Sequence, residues 1–250
     1  GIQQLTINLS EKHLWEVGNG RLYDLKLTYG NDNVQSYFGL RNVRLSGYKF
    51  LINEKSVFQR LVLDQGFYPD GIYTAPTDDD LLNDIKLSMA CGFNGARLHQ
   101  KVFEERFLYY CDKMGYIVWG EYPSWGLDHT YADSIYGILP EWLEEVERDF
   151  NHPSIIGWCP FSETWDKKGR KQFDDVLRTV YRVTKATDFT RPCIDTSGNY
   201  HVETDIFDVH DYEQNPEIFK SNYNKLMEDG TLHDRLNNKQ DYNGEPVFIS

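Results

Sequence analysis

The sequence has little of what would place it in several large classes. Only four of its 250 residues are cysteines, and none of Cys91, Cys111, Cys159 and Cys193 stands in a Cys-x-x-Cys pair. Each lies in or beside an apolar segment, so they read as buried free thiols. That favours a reducing, cytoplasmic compartment. No apolar run reaches the roughly 20 residues of a membrane-spanning helix. Positive charge is scarce: 26 Lys and Arg against 39 Asp and Glu leave a net charge of −13. Nucleic acid and anionic membranes are therefore not expected as partners. No Gly-rich phosphate loop follows the first expected strand of the α/β region, which argues against a dinucleotide-binding sheet. His201, His210 and Asp205 match no zinc spacing, and no metal site is expected. Aromatic residues, in contrast, make up 15% of the chain and hydrophobic ones 40%, the composition of a packed globular protein.

Residues 1–45 read as strands. Leu5–Leu9 and Leu22–Tyr29 alternate in polarity, and Gly18-Asn-Gly20 and Gly30-Asn-Asp-Asn33 supply turns. From about residue 46 strands alternate with amphipathic helices. The expected strands are Val57–Asp64, Phe93–Leu98, Tyr116–Glu121, Ile155–Pro160, Pro192–Thr196, Ile206–His210 and Pro246–Ser250. The expected helices are Asp78–Ala90, capped by Thr77 and stopped by Gly92, then Glu104–Met114, Pro140–Phe150 and Lys171–Ala186. The series fits an α/β protein: a (β/α)8 barrel, incomplete at its C-terminus, or a doubly wound sheet. Polar residues cluster at the expected strand ends, among them Asp64, Arg97, His99, Gln100, Glu121, Glu163, Asp195 and His210. A barrel places its chemistry there.

The segment Asn151-His-Pro-Ser-Ile-Ile-Gly-Trp-Cys-Pro-Phe-Ser-Glu163-Thr-Trp-Asp166 is the most informative. It reads as a buried strand that delivers one carboxylate, Glu163, to its far end. Trp158, Phe161 and Trp165 are expected near that carboxylate. Such a setting raises a carboxyl pKa and suits a general acid. Aromatic faces also stack on sugar rings. A helix cap or surface carboxylate after a core strand is the plain alternative.

This segment resembles the acid/base signature of glycoside hydrolase family 2, through Asn151-His152-Pro153-Ser154, Ile155, Ile156, Trp158 and Glu163. Leu14-Trp15, Arg21–Leu25 and Tyr37-Phe-Gly-Leu-Arg41 resemble the end of the immunoglobulin-like sandwich that precedes the barrel in that family. Residues 1–45 would then be the tail of that sandwich, and residues 46–250 a TIM barrel truncated after strand seven. The resemblance implies a retaining β-glycosidase, β-galactosidase-like, with Glu163 as acid/base and no cofactor. It implies a carbohydrate substrate and the remaining domains of the full-length enzyme as partners, and leaves an oligomer open. Glu245-Pro-Val-Phe-Ile-Ser250 resembles the strand that runs into the nucleophile, which is expected one residue beyond Ser250. Ser162 stands where the family has Asn, the residue that usually binds the sugar 2-hydroxyl. Asn94-Gly-Ala-Arg97, with Gln100 at the family's His position and His99 one residue before it, resembles the strand-two segment. Glu121 resembles the acidic end of strand three, and His210 and Tyr212 the end of strand six. Arg97 is expected to orient carboxylates, Glu121 to face the site or pair with Arg97, and Trp125 and Trp165 to form sugar platforms. A non-catalytic carbohydrate-binding or scaffold module on a decayed barrel is the rival reading.

Overall fold

The computed structural model describes residues 4–234 and 240–250. The expected strand at Leu5–Leu9 does not form: residues 4–22 hold one isolated bridge, Glu16 with Asn19. Leu5 and Ile7 are exposed, and no strand among the described residues pairs with that stretch. The strand expected at Leu22–Tyr29 forms, and the turn after it is shorter than expected because Asp32 and Asn33 already belong to the next strand. β1 (Tyr23–Tyr29) pairs antiparallel with β2 (Asp32–Phe38) across Gly30-Asn31. Its Tyr37 hydroxyl donates to Asp112 Oδ2 at 2.9 Å, which docks the hairpin on the α/β body.

A small antiparallel meander comes next: β3 (Val43–Ser46), β4 (Lys49–Ile52) and β5 (Lys55–Ser56). The sequence reading missed it. Its Phe50 and Ile52 pack with Trp15, Ile117, Trp119 and Ile156. The meander therefore plugs the barrel interior beside the starts of the central strands.

The α/β series follows: β6 (Leu61–Asp64), α1 (Asp78–Ala90), β7 (Gly95–Leu98), α2 (Glu105–Met114), β8 (Ile117–Glu121), α3 (Ile135–Asp149), β9 (Ile155–Cys159), β10 (Phe161–Ser162), α4 (Asp174–Thr187), β11 (Thr196–Ser197), β12 (Phe207–Val209), α5 (Pro216–Glu228) and β13 (Val247–Ile249). Thr77 and Asp80 form a reciprocal capping box at α1, with three aspartates in its first turn, as charge at a helix N-terminus favours. α2 ends at Gly115, whose φ of 69° is left-handed. α3 starts a turn earlier than expected, so Pro140 lies inside it. The carbonyl that Pro140 leaves unbonded belongs to Tyr136, an exposed residue, so water can satisfy it. α5 was not anticipated; Asn215 caps it by accepting from the Glu217 and Ile218 N–H groups, and Pro216 opens it.

β6, β7, β8 and β9 form one parallel sheet in that order. β10 pairs parallel with β11, β12 pairs parallel with β13, and a parallel bridge joins Trp158 to Cys193. The strands curve into an open barrel. The gap between the first strand, β6, and the last, β13, is a cavity of about 490 Å³ lined by Leu61, Val62, Leu63, Val247, Phe248 and Ile249, among others. The first and fifth expected strands shorten. Phe58 and Arg60 bond to the Asn94 side chain instead of a ladder, and the fifth keeps only the Cys193 bridge and β11.

One irregularity sets the phase of the site. Val118 pairs with Ile155 but Trp119 with Gly157, so Ile156 is an extra residue in β9. Ile155 packs toward the helices and Ile156 toward the barrel interior. Unbroken alternation would then send Trp158 inward. The bulge turns it outward against Trp142. Each Trp lies over a glycine of the neighbouring strand: a Cβ on Gly157 would sit 2.2 Å from the Trp119 ring, and one on Gly120 2.6 Å from Trp158. Cys111, Cys159 and Cys193 are buried as expected, whereas Cys91, just past α1, is exposed. Among the described residues no helix is long and apolar enough to cross a membrane.

Candidate active site

The Asn-His-Pro-Ser segment acts at the other end of the strand from Glu163. His152 Nδ1 lies 2.6 Å from Asp112 Oδ2, and the Ser154 N–H donates to Asp112 Oδ1 at 2.9 Å. Arg41 donates to the carbonyls of Pro153 and Ile155 at 2.9 and 2.6 Å. Gly39 gives Pro153 room, since a Cβ there would come within 2.8 Å of its ring. The Phe-Gly-Leu-Arg exit and the Asn-His-Pro-Ser entry thus clasp each other and fix where β9 begins.

At the opposite end Glu163 follows β10 with a φ of 50°. A left-handed glutamate is uncommon and costs on the order of 1–3 kcal/mol. Its N–H, donating to the Ser197 carbonyl at 2.9 Å, holds it there. The side chain is 23% exposed. On one side Oε1 lies 3.1 Å from His210 Nδ1 and accepts from the Tyr212 hydroxyl at 3.3 Å. On the other side the carboxylate borders a cavity of about 330 Å³ lined by Trp125, His129, Trp165 and Lys167. Trp158 and Phe161 are not near it, contrary to expectation. Both face the helix layer, and Trp158 Nε1 donates to Asp188. The aromatic groups around Glu163 are Trp125, Trp165 and Tyr212.

Arg97 is the hub beneath the carboxylate. Its Nε pairs with Glu121 Oε2 at 3.0 Å. Its Nη1 reaches Ser250 Oγ at 3.1 Å and His210 Nε2 at 3.5 Å, and its Nη2 reaches His99 Nδ1 at 2.7 Å and Ser162 Oγ at 3.3 Å. Burial pulls the guanidinium down, yet the facing Glu121 and Asp208 carboxylates outweigh it and hold it above its ordinary value. Glu121 is fully buried. Its Oε1 takes the Gln100 N–H at 3.0 Å and lies 2.8 Å from His99. It therefore serves Arg97, His99 and Gln100 rather than facing the mouth. Gln100, also left-handed at φ 55°, spends its side chain on Ser124 and on the Trp125 N–H. Trp125 Nε1 donates to the Ser162 carbonyl at 3.1 Å, and its ring meets His99 edge-on.

Ser162 is 1% exposed and turned to Arg97, so its hydroxyl is not presented to the mouth. His210 lies flat on Gly198, where a Cβ would be 2.3 Å from the ring. Its Nε2 is 2.9 Å from Ser197 Oγ and 3.8 Å from Asp208 Oδ1. Burial lowers its pKa against the opposing pull of Asp208, so the ring is neutral at neutral pH. Sequence reasoning missed Ser197, His129 and Lys167 as neighbours of the site, and gave Asp208 no role. Nothing in the local pattern marks the first three. His201 pairs with Asp195 at 2.6 Å, and Asp205 with Lys185, so those histidines and Asp205 do not converge. Among the described residues no three metal-binding groups do.

Known proteins share this arrangement of strands. The chain superposes on the β-glucuronidase of Parabacteroides merdae with a TM-score of 0.74 at 19% identity, over 89% of this chain and 29% of that one. The β-D-glucuronidase of Dictyoglomus thermophilum gives 0.69 at 24% identity, over 82% of this chain and 39% of that one. At those identities the likeness shows the fold alone. Among curated sequences, a β-glucuronidase of Streptococcus agalactiae is 28% identical over 62% of this chain and 29% of its own length. A β-galactosidase of Alteromonas mediterranea is 30% identical over 81% of this chain and 21% of its own. The chain thus spans less than a third of either curated relative. The profile described as "Glycosyl hydrolases family 2, TIM barrel domain" matches residues 43–250, and the chain belongs to that family.

Proposed function

We propose that this chain is the acid/base-bearing part of a retaining β-glycosidase, with Glu163 as the general acid and then the general base. The observation that carries the reading is the placement of Glu163: it is partly exposed at the C-terminal mouth of the barrel, bordering a cavity whose walls include two indoles. In the first step Glu163 donates its proton to the glycosidic oxygen as that bond breaks. In the second it takes a proton from the water that releases the sugar. His210 and Tyr212 hold the same carboxylate oxygen and fix where the proton is delivered. Arg97, braced by Glu121, sets the floor on which Ser162 and His210 rest.

The second carboxylate of such a mechanism stands about 5–5.5 Å from the first. We place it immediately after Ser250 in the longer protein. Ser250 Oγ already sits in the Arg97–Asp208 network, and its backbone pairs with Val209 and Asp211. The relatives carry both β-glucuronidase and β-galactosidase names, so the glycone is to be read from a panel of aryl β-glycosides that includes β-galactosides.

Two results test the reading. The 250-residue chain alone shows no steady turnover of any member of the panel, because an acid without a nucleophile forms no glycosyl intermediate; turnover abolished by Glu163→Gln would mean a nucleophile inside this chain. In the longer protein, Glu163→Ala retains cleavage of substrates whose leaving groups need no proton, and azide yields a β-glycosyl azide. Equal loss toward every leaving group, without azide rescue, would remove Glu163 from the role. The buried Ser162, which offers the sugar 2-hydroxyl no side-chain contact, favours the rival of a non-catalytic carbohydrate-binding module. In that case sugar binds and no leaving group is released.

A further inference from the structure

In a chain with 13 more acidic than basic residues, four cations fall within five successive positions: Lys167, Lys168, Arg170 and Lys171. They directly follow the Glu163–Trp165 segment. The backbone holds the first three of them in one turn. The Lys167 N–H donates to the Arg170 carbonyl at 2.9 Å, and the Arg170 N–H returns to Lys167 at 3.0 Å. The two residues between them, Lys168 and Gly169, are both left-handed, at φ 53° and 75°. Two successive left-handed residues make a tight primed turn. A lysine at its first central position has no local advantage, since Asn, Asp or Gly adopts that conformation more readily.

Arg170 fastens the turn to the loop that carries Trp125. Its guanidinium lies over the Tyr131 ring at 4.3 Å, donates to Thr130 Oγ1 at 3.1 Å and pairs with Asp128 at 3.4 Å. That pair accounts for Asp128; Asp166 is the other carboxylate beside the turn. Lys167 has no carboxylate within ion-pair distance among the described residues. Its ammonium donates to the Leu127 carbonyl at 2.5 Å, which leaves two of its three N–H groups. The same lysine lines the cavity bordered by Glu163, together with Trp125, His129 and Trp165.

We propose that the Lys167–Arg170 turn is an anion-recognising rim, and that Lys167 binds a carboxylate or sulfate carried by the sugar on the leaving-group side of Glu163. The side rests on the lining: His210 and Tyr212 hold Glu163 from the β12 end, where the nucleophile of the glycosidase reading would stand, whereas the cavity that Glu163 shares with Lys167 is lined by Trp125, His129 and Trp165 and by neither of those two. The assignment of that cavity to the leaving group rests on the glycosidase reading; the anion preference does not. Lys168, at the tip of the turn, adds field strength, and Arg170 positions the turn without being consumed by the ligand.

The test uses the 250-residue chain and three probes: methyl β-cellobioside and the same disaccharide carrying a 6-carboxylate or a 6-sulfate on its methyl-bearing residue, the leaving-group sugar. Binding is followed through the indole N–H resonances of Trp125 and Trp165. The two anionic probes are expected to bind about two- to five-fold tighter than the neutral one, the range that one partly exposed ion pair supports. The preference should shrink as salt rises, disappear in Lys167→Gln and persist in Lys167→Arg. Comparison of the carboxylate and sulfate arms names the anion. Equal binding of all three probes, a preference that survives Lys167→Gln, or no response from either indole would overturn the proposal. Anion preference in a full-length protein without turnover would sink the glycosidase reading alone, and turnover without anion preference would sink this one alone.

Discussion

At the residue scale the site is a set of partners around two left-handed positions, Glu163 and Gln100. Of the residues singled out from sequence, Arg97, Glu163, His210 and Tyr212 lie together in the structure; each stands in or just after an apolar strand and matches a family motif. Sequence reading could not assign their partners. Glu121 ends its strand in the same way, yet it is buried behind Arg97. Ser197 sits beneath His210 with no motif to announce it. A prediction follows from His210, whose folded pKa is depressed by burial. Such a group contributes stability that is present above its unfolded value, about 6.5, and lost as pH falls through the folded one. His129 acts in the same direction. His201, raised by Asp195 against its burial, acts oppositely and loses its contribution as pH rises. The measurement is therefore a difference. Denaturant unfolding of the wild type and His210→Asn should show a shallower loss of stability for the variant between about pH 7 and pH 5. Parallel curves would mean that folding does not depress the His210 pKa.

At the scale of elements, helices were more legible than strands. Thr77 and Gly92 bound α1 at its expected residues, because capping is local chemistry, and α2 begins within a residue of its expected start. The meander at Val43–Ser56 was hidden by its brevity, and α5 by a weak apolar stripe that buries no residue fully. The bulge at Ile156 cannot be read from β9 alone, since it exists only relative to β8. That is why Trp158 was placed on the wrong face. What holds β9 in this phase is a buried clasp. Arg191 pairs with Asp188 at 2.6 Å and donates to the carbonyls of Ile155, Phe150 and His152. Asp188 in turn accepts from Trp158 at 2.9 Å. Arg191→Ala leaves a buried carboxylate without its cation and should cost about 3–5 kcal/mol in urea unfolding. A loss under about 1 kcal/mol, the range of a surface pair, would show that the clasp is replaceable.

At the scale of the whole molecule, β6 and β13 do not pair among the described residues, and in the 250-residue chain the seam between them is open. Leu63 and Ile249, on its two edges, are 54% and 38% exposed, and the cavity walls are largely apolar. In the 250-residue chain an accessible apolar cleft of this kind should take up a hydrophobic dye such as ANS without denaturant. Leu63→Lys should reduce that uptake while changing stability by no more than about 0.5 kcal/mol, as exposed positions usually do. Unchanged uptake would place the dye elsewhere. Arg97 belongs to both regions: it lines the seam cavity and contacts Ser162, His99 and His210. Whatever occupies the seam and shifts that guanidinium also changes what the mouth can bind. Linkage then requires the converse: if a seam occupant changes sugar affinity by some factor, the sugar changes the occupant's affinity by the same factor.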